Sequence, residues 1–275
     1  MTAQAAAGGS RVHGSLLGVA VLGLVLVAGG AGAAADAETS DAGSTAVSAA
    51  DYAGTWAQLR VQAAVVDVPF LGEIQIVTRS VLRLEMTASG RSLAIDTEAC
   101  TLEQEWSTSV LRSVFPQELI RGAGRFEATG SLREEDGELR FFQPRRWLVF
   151  GAQLDDPGHD TLPTDPTDER LVDADHDGQP GITVRFEGLV DGDVYLVQRQ
   201  WSTFRGVATG GNRIDGRIQW GEERSVLGAT SVFLRTQPPS RTDPDPEASY
   251  FRTTRIAADV DCAGILAQRD TLFAR

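Results

Sequence analysis

The stretch Asp173-Ala174-Asp175-His176-Asp177-Gly178-Gln179-Pro180-Gly181 sets three carboxylates at alternate positions ahead of a glycine. This spacing carries more chemical information than any other in the chain. A hard cation such as Ca²⁺ takes about six to eight oxygen ligands. Alternating Asp side chains on a tightly curling backbone aim their carboxylates at one centre, and Gly178 permits the sharp turn. The expected ligands of a structural calcium ion are therefore Asp173, Asp175 and Asp177, with the backbone carbonyl of Gln179 as a fourth. The residues that follow, Ile182-Thr183-Val184-Arg185-Phe186-Glu187, alternate apolar and polar and read as a strand.

Over these nine residues the spacing resembles the first half of an EF-hand loop and the Asp-rich repeats of thrombospondin type 3 and dockerin modules. It departs from the EF-hand where a bidentate Glu is required, because Val184 stands there and no amphipathic helix follows. The resemblance implies a calcium loop without the flanking helices of an EF-hand.

The loop ends an Asp- and Pro-rich insertion, residues 153–181, that includes Asp155, Asp156, Asp160, Asp165, Asp168 and Glu169. A segment this long without periodicity needs something to hold it inside a compact domain, and an ion is the expected agent, with Asp155, Asp156, Asp160 or Asp165 able to supply further oxygens. On either side the chain reads as strands. From Thr55 the apolar residues Ala57, Leu59, Val61 and Ala63 alternate with Gln58, Arg60 and Gln62, the period of a half-buried strand with its apolar row toward the core. The longest alternation puts Ile74, Ile76, Thr78, Ser80, Leu82, Leu84 and Met86 on one face. Ser89-Gly90, Asp136-Gly137, Asp191-Gly192, Gly210-Gly211-Asn212 and Gly221-Glu222-Glu223 read as hairpin turns, with Glu138 to Phe142 and Trp147 to Phe150 as separate short runs. Pro69 and Pro116 end runs, Gln237 to Ala248 reads as a second loop, and Asp259 to Leu272 reads as a short helix or a strand end.

About ten to twelve sequential strands predict an all-β, antiparallel meander that closes or nearly closes into a barrel, because closure removes unpaired edges. The organisation expected is a signal peptide over residues 1–35, a disordered leader over 36–50 and one all-β domain over 51–275. Arg11, the apolar run Leu16 to Ala28 and the small residues Ala33-Ala34-Ala35 carry the signal-peptide reading, with export to the periplasm or the extracellular space as its consequence. Cys100 and Cys262, an even pair in an exported chain, are expected to form a disulfide.

The chain has 275 residues and a net charge of −13, and all 25 of its basic residues are Arg. Acidity argues against nucleic acid and anionic membrane surfaces as partners, and the absence of Lys excludes Schiff-base chemistry. His13 falls in the signal peptide, His159 and His176 lie in the acidic segment, and no Gly-x-Ser-x-Gly elbow or zinc-ligand spacing occurs. Paired carboxylates for hydrolysis remain a possible reading through Glu73, Glu85, Glu103, Glu105 and Glu187. At the first strand Gly54-Thr55-Trp56 resembles the Gly-x-Trp that opens lipocalins, with Arg255 as the candidate to pack over the Trp. That resemblance implies a cup whose interior binds an apolar small molecule. The function expected is thus a calcium-stabilised β-barrel acting as a binding or structural module. An outer-membrane barrel and a carboxylate-dependent hydrolase are the alternatives.

Overall fold

The computed structural model describes residues 48–68, 71–115, 125–236 and 238–274. The expected signal peptide, most of the leader, Pro69 and Pro116 lie outside the described residues. A 3-10 turn, Ala49–Tyr52, leads into the first strand and buries Ala49, so the end of the stretch expected to lack order belongs to the fold.

The expected all-β antiparallel architecture is present, with eleven strands among the described residues: β1 (Gly54–Val68), β2 (Gly72–Ser89), β3 (Ser92–Trp106), β4 (Leu111–Val114), β5 (Arg125–Glu135), β6 (Glu138–Phe150), β7 (Ile182–Gly188), β8 (Gly192–Thr209), β9 (Arg213–Ala229), β10 (Ser240–Thr242) and β11 (Tyr250–Arg255). Eight of them, β1, β2, β3, β5, β6, β8, β9 and β11, pair in that order, and β11 returns to β1 to complete a ring. Outside the ring, β7 takes the edge of β8 beyond the β6 ladder and carries β4, while β10 takes the edge of β1 beyond β11.

Register decides which face looks inward. Trp56, Gln58, Arg60, Gln62 and Ala64 stand opposite Leu84, Leu82, Ser80, Thr78 and Ile76, and both rows point into the ring. The apolar row expected on one face of β1 is buried, but on the outer side of the ring. This row, Ala57, Leu59 and Val61, faces outward beneath Ile265 and Phe273 of the C-terminal segment. Both faces of the strand are covered, so polarity marks the drier side and not the inside of the ring.

One end of the ring is solid. Trp56, Leu84, Leu93, Phe141, Phe204, Ile214 and Phe251 are buried together there, with Phe251 edge-on to Phe204 at a centroid distance of 5.3 Å. Tyr52 stacks on Trp56 at 5.7 Å, and the guanidinium of Arg255 lies 4.4 Å above the Trp56 ring. Arg255 also donates to the carbonyls of Ala53 (2.7 Å) and Gly211 (2.9 Å) and to that of Asp51, which ties the turn before β1 to the β8–β9 hairpin and to β11.

Two expected breaks are continuous strand. Gly221-Glu222-Glu223 lies inside β9, paired with β8 throughout, because a side chain at Gly221 would collide with the indole of Trp201 only 2.7 Å away. The glycine there serves close approach and not a turn. Glu138 to Phe142 and Trp147 to Phe150 form the single strand β6, with a bulge between Gln143 and Arg146 that absorbs the missing N–H of Pro144.

Asp259 to Leu272 contains two short helices, Cys262–Ala267 and Arg269–Leu272, and the Asp261 side chain caps the first by accepting from the Gly264 N–H at 2.8 Å. Cys100 joins Cys262 in a disulfide, Cα to Cα 5.1 Å. A bulge in β3 leaves Cys100 without a partner on β2 and re-aims it outward toward that helix. Reduction should therefore release the helices from the apolar row of β1. In the chain-entropy account, closing so long a loop contributes roughly 5 kcal/mol. Reducing agent should lower the melting temperature and open residues 262–274 to protease, both measurable on one sample.

Candidate functional site

The acidic loop is built as its spacing requires. His176 and Gly178 take left-handed backbone angles, φ 59° and 84°, and curl the chain around the carboxylates. Asp173 accepts from the N–H groups of Asp177 (3.2 Å) and Gly178 (3.0 Å), and Asp177 accepts from the Gln179 N–H (2.8 Å) and from the Thr183 hydroxyl (2.5 Å). Asp175 is only 3% exposed and accepts from the Thr183 N–H at 2.8 Å through Oδ2. Its Oδ1 is buried with no hydrogen-bond partner. The three carboxylates each offer an oxygen within 4.8 Å of the others, an arrangement that can hold a metal ion. Burial, with the neighbouring charges of Asp177 and Asp173, pushes the Asp175 carboxyl up, and the Thr183 N–H opposes the shift. An orphaned, desolvated carboxylate oxygen flanked by two more acids fits a cation, because a cation removes the repulsion and satisfies the free lone pair together. Gln179 is exposed.

The rest of the insertion is held by other means than expected. Leu162 is buried against Val197 of β8, Ala152 bridges to Leu171, and Arg199 donates to the carbonyl of Asp160 at 2.5 Å. Asp156, Asp160, Asp165 and Asp168 each accept a local backbone N–H within the segment. The hydrogen bond from Arg170 holds the Asp168 carboxyl down at about 2. These acids are committed to Asx-type turns that rigidify the segment without an ion.

The other end of the ring encloses a cavity of about 160 Å³ that seven of its eight strands line. Leu82, Ala99, Phe126, Leu148, Phe150 and Trp220 form its apolar wall. Polar groups share the lining, among them Gln62, Thr78, Ser80, Gln104 and Gln200. Glu222 is its only acid among the described residues, paired with Arg224 at 2.7 Å and accepting from Gln198 at 3.1 Å.

Arg60 projects into this cavity from the polar row of β1. Its Nε donates to Gln58 Oε1 at 2.5 Å, and Gln58 is fixed in turn by donating to the buried Thr253 hydroxyl at 2.8 Å. The guanidinium lies 4.7 Å over the Phe204 ring and 5.8 Å from that of Phe126, on which Arg146 also stacks at 4.7 Å. No carboxylate among the described residues pairs with Arg60. Burial, with the like charge of Arg146 adding to it, lowers its pKa to about 9. Reasoning from the sequence missed Arg60, although an arginine between two glutamines in an otherwise apolar strand was the available signal.

The five acids of the hydrolase reading do not line the cavity; each forms an ion pair, Glu73 with Arg241, Glu85 with Arg83, Glu103 with Arg269, Glu105 with Arg79 and Glu187 with Arg112. His159 pairs with Asp156 at the surface and His176 is exposed, both remote from the cavity lining. Compared with known family models and with curated proteins, the chain matches none. Fold and geometry thus define a class by themselves: a ring of eight antiparallel strands with an interior cavity and an external acidic loop able to hold a cation.

Asp175→Asn keeps an acceptor for the Thr183 N–H while removing the desolvated charge. In chelator this variant should melt above the wild type. In millimolar divalent cation the order should reverse, because only the wild type gains from the ion, as paired thermal melts would show.

Proposed function

We propose that this protein is an exported, calcium-stabilised binding module that takes a small molecule into its ring cavity. The observation that carries the reading is the division of the interior: one end is packed solid, whereas the other keeps a cavity lined by side chains of both polarities. Protein interiors are close-packed, and a mostly apolar hollow with a few convergent polar groups is the usual form of a small-molecule site. Calcium is favoured over other cations because all three candidate side chains are hard oxygen donors, with no His or Cys among them. Export is supported by the Cys100–Cys262 disulfide, since such bonds persist in oxidising compartments, and by the signal-like N-terminal sequence. The Gly54-Thr55-Trp56 opening, with Arg255 over the Trp, supports a lipocalin-like ancestry.

Two features favour this reading over an outer-membrane barrel. The outer wall carries the ion pairs Arg79–Glu105, Arg83–Glu85 and Arg199–Glu223, where lipid would demand an apolar band. The C-terminal helices and the acidic insertion cover further parts of that wall.

Filling the cavity tests the proposal. Ala99→Phe introduces a ring into the lumen, at a cost of about 1–3 kcal/mol for overpacking. Binding of small aromatic probes, followed by ligand-observed NMR or by Trp220 fluorescence, should be present in the wild type and lost in the folded variant. Probe binding that survives Ala99→Phe unchanged would place any site elsewhere. For the ion, Ca²⁺ should raise the melting temperature more than Mg²⁺ does, with an affinity on the order of 10⁻⁴ to 10⁻³ M because Val184 replaces the bidentate acid.

A further inference from the structure

We propose that the cavity ligand is a small carboxylic acid, bound as its anion, whose carboxylate forks onto the free edge of the Arg60 guanidinium while its apolar body rests against Leu82, Phe126, Leu148 and Trp220. This rests on the reading of the cavity as a binding site and specifies the chemistry of what enters it.

Three observations carry it. First, Arg60 is positioned but not neutralised. Gln58 takes its Nε at 2.5 Å and is itself locked by Thr253, so the side chain is held in one orientation. The Nη groups make no hydrogen bond to any described residue, and they belong to a side chain that lines the cavity. A half-buried arginine with a free fork and no acid among the described residues gains a charged partner when an anion completes it. Second, the charges around the lumen do not balance. Among the described residues Arg60 and Arg224 line it against Glu222 alone, and Glu222 is already bound to Arg224 and Gln198. Arg146 is not part of the lining: it stacks on the Phe126 ring from β6 and stands near Glu127 in a neighbouring groove. This excess stands inside a chain whose net charge is −13, so it is local to the lumen and not a property of the surface. Third, the neighbours of the fork suit a monoanion. Ser80 faces Arg60 across the β1–β2 ladder and lines the same cavity, which puts a hydroxyl donor on the position opposite the arginine.

The planar guanidinium edge matches a carboxylate with two parallel hydrogen bonds. Cavity size then bounds the rest of the molecule. A void of roughly 150 Å³ accepts a body about the size of benzene, so at about 160 Å³ this lumen has room for a short or single-ring acid.

The test compares benzoate with its neutral isostere benzamide on the intact disulfide-bonded protein, in Ca²⁺ and at constant ionic strength, by ligand-observed NMR and thermal shift. Benzoate should bind at least tenfold more tightly than benzamide, and inorganic phosphate should not compete with it at equal concentration. Arg60→Met, which keeps the length and removes the charge, should bind the two probes equally and should melt higher than the wild type without ligand, since it relieves a desolvated cation. Arg224→Gln should retain the benzoate preference. Equal binding of both probes by the wild type would overturn the carboxylate assignment while leaving the cavity as a binding site. Efficient competition by phosphate would reduce the site to a simple anion trap and overturn it as well. If neither probe binds, the cavity reading fails and this inference falls with it. A melting temperature lowered by Arg60→Met would show that the arginine serves the fold, a result contrary to the proposal that the wild-type probe comparison checks without any substitution.

Discussion

Because β1 is hydrogen-bonded along both edges, to β2 over its whole length and to β11 and then β10 on the other side, the ring has no free edge there and every second side chain must point inward. Closure fixes how many side chains share the interior but not what they are. At one end aromatic and branched residues interdigitate, and Phe251 reaches from β11 to both Phe204 and Phe141. At the other end apolar side chains share the interior with glutamines, hydroxyls and an arginine, and they leave a cavity between them. The division between a solid end and a hollow end follows from side-chain type within one continuous set of ladders.

Around this ring the chain adds a second layer. The helices Cys262–Ala267 and Arg269–Leu272 cover the outward apolar row of β1, and the disulfide fastens them to β3. The insertion between β6 and β7 lies over Val197 and Val149 and is stiffened by its own Asx turns. Polar rows inside are tolerable because apolar rows outside are also dry. Burial on the outer face replaces part of the stabilisation that a fully packed interior would have contributed.

Two side chains of opposite sign, Asp175 buried and Arg60 half-buried, have no counter-charge among the described residues. Asp175 has a carboxylate oxygen with no donor, and Arg60 has a guanidinium with no acid. Each is oriented by neighbours that are themselves fixed, Thr183 in one case and Gln58 with Thr253 in the other. Folding alone has little use for such groups, since apolar residues of similar volume would be more stable in both places. Their retention in rigid surroundings is what preorganised binding requires. The two sites also differ in what they demand: the loop needs a cation to quench repulsion among three acids, whereas the lumen needs an anion for one fork.

The alternations from Ile74 to Met86 and from Ile182 to Glu187, the turns at Asp136-Gly137 and Gly210-Gly211, and the Asp173, Asp175, Asp177 spacing were all legible in the chain, because strand period, positive-φ turns and a curling acidic loop are set by neighbours a few residues away. Gly221 and Pro144 misled for the same reason: their local preference is for a break, and only the indole of Trp201 and the bulge in β6 show why the strands continue. The face of β1 could not be read locally at all. Alternation separates two rows but does not say which one a ring will enclose, and the helices that cover Leu59 and Val61 come some 200 residues later in the sequence. Arg60 therefore looked like a solvent-facing charge in the sequence, whereas the tertiary structure makes it a half-buried cation of the cavity, because burial depends on what closes around a residue and not on what precedes or follows it.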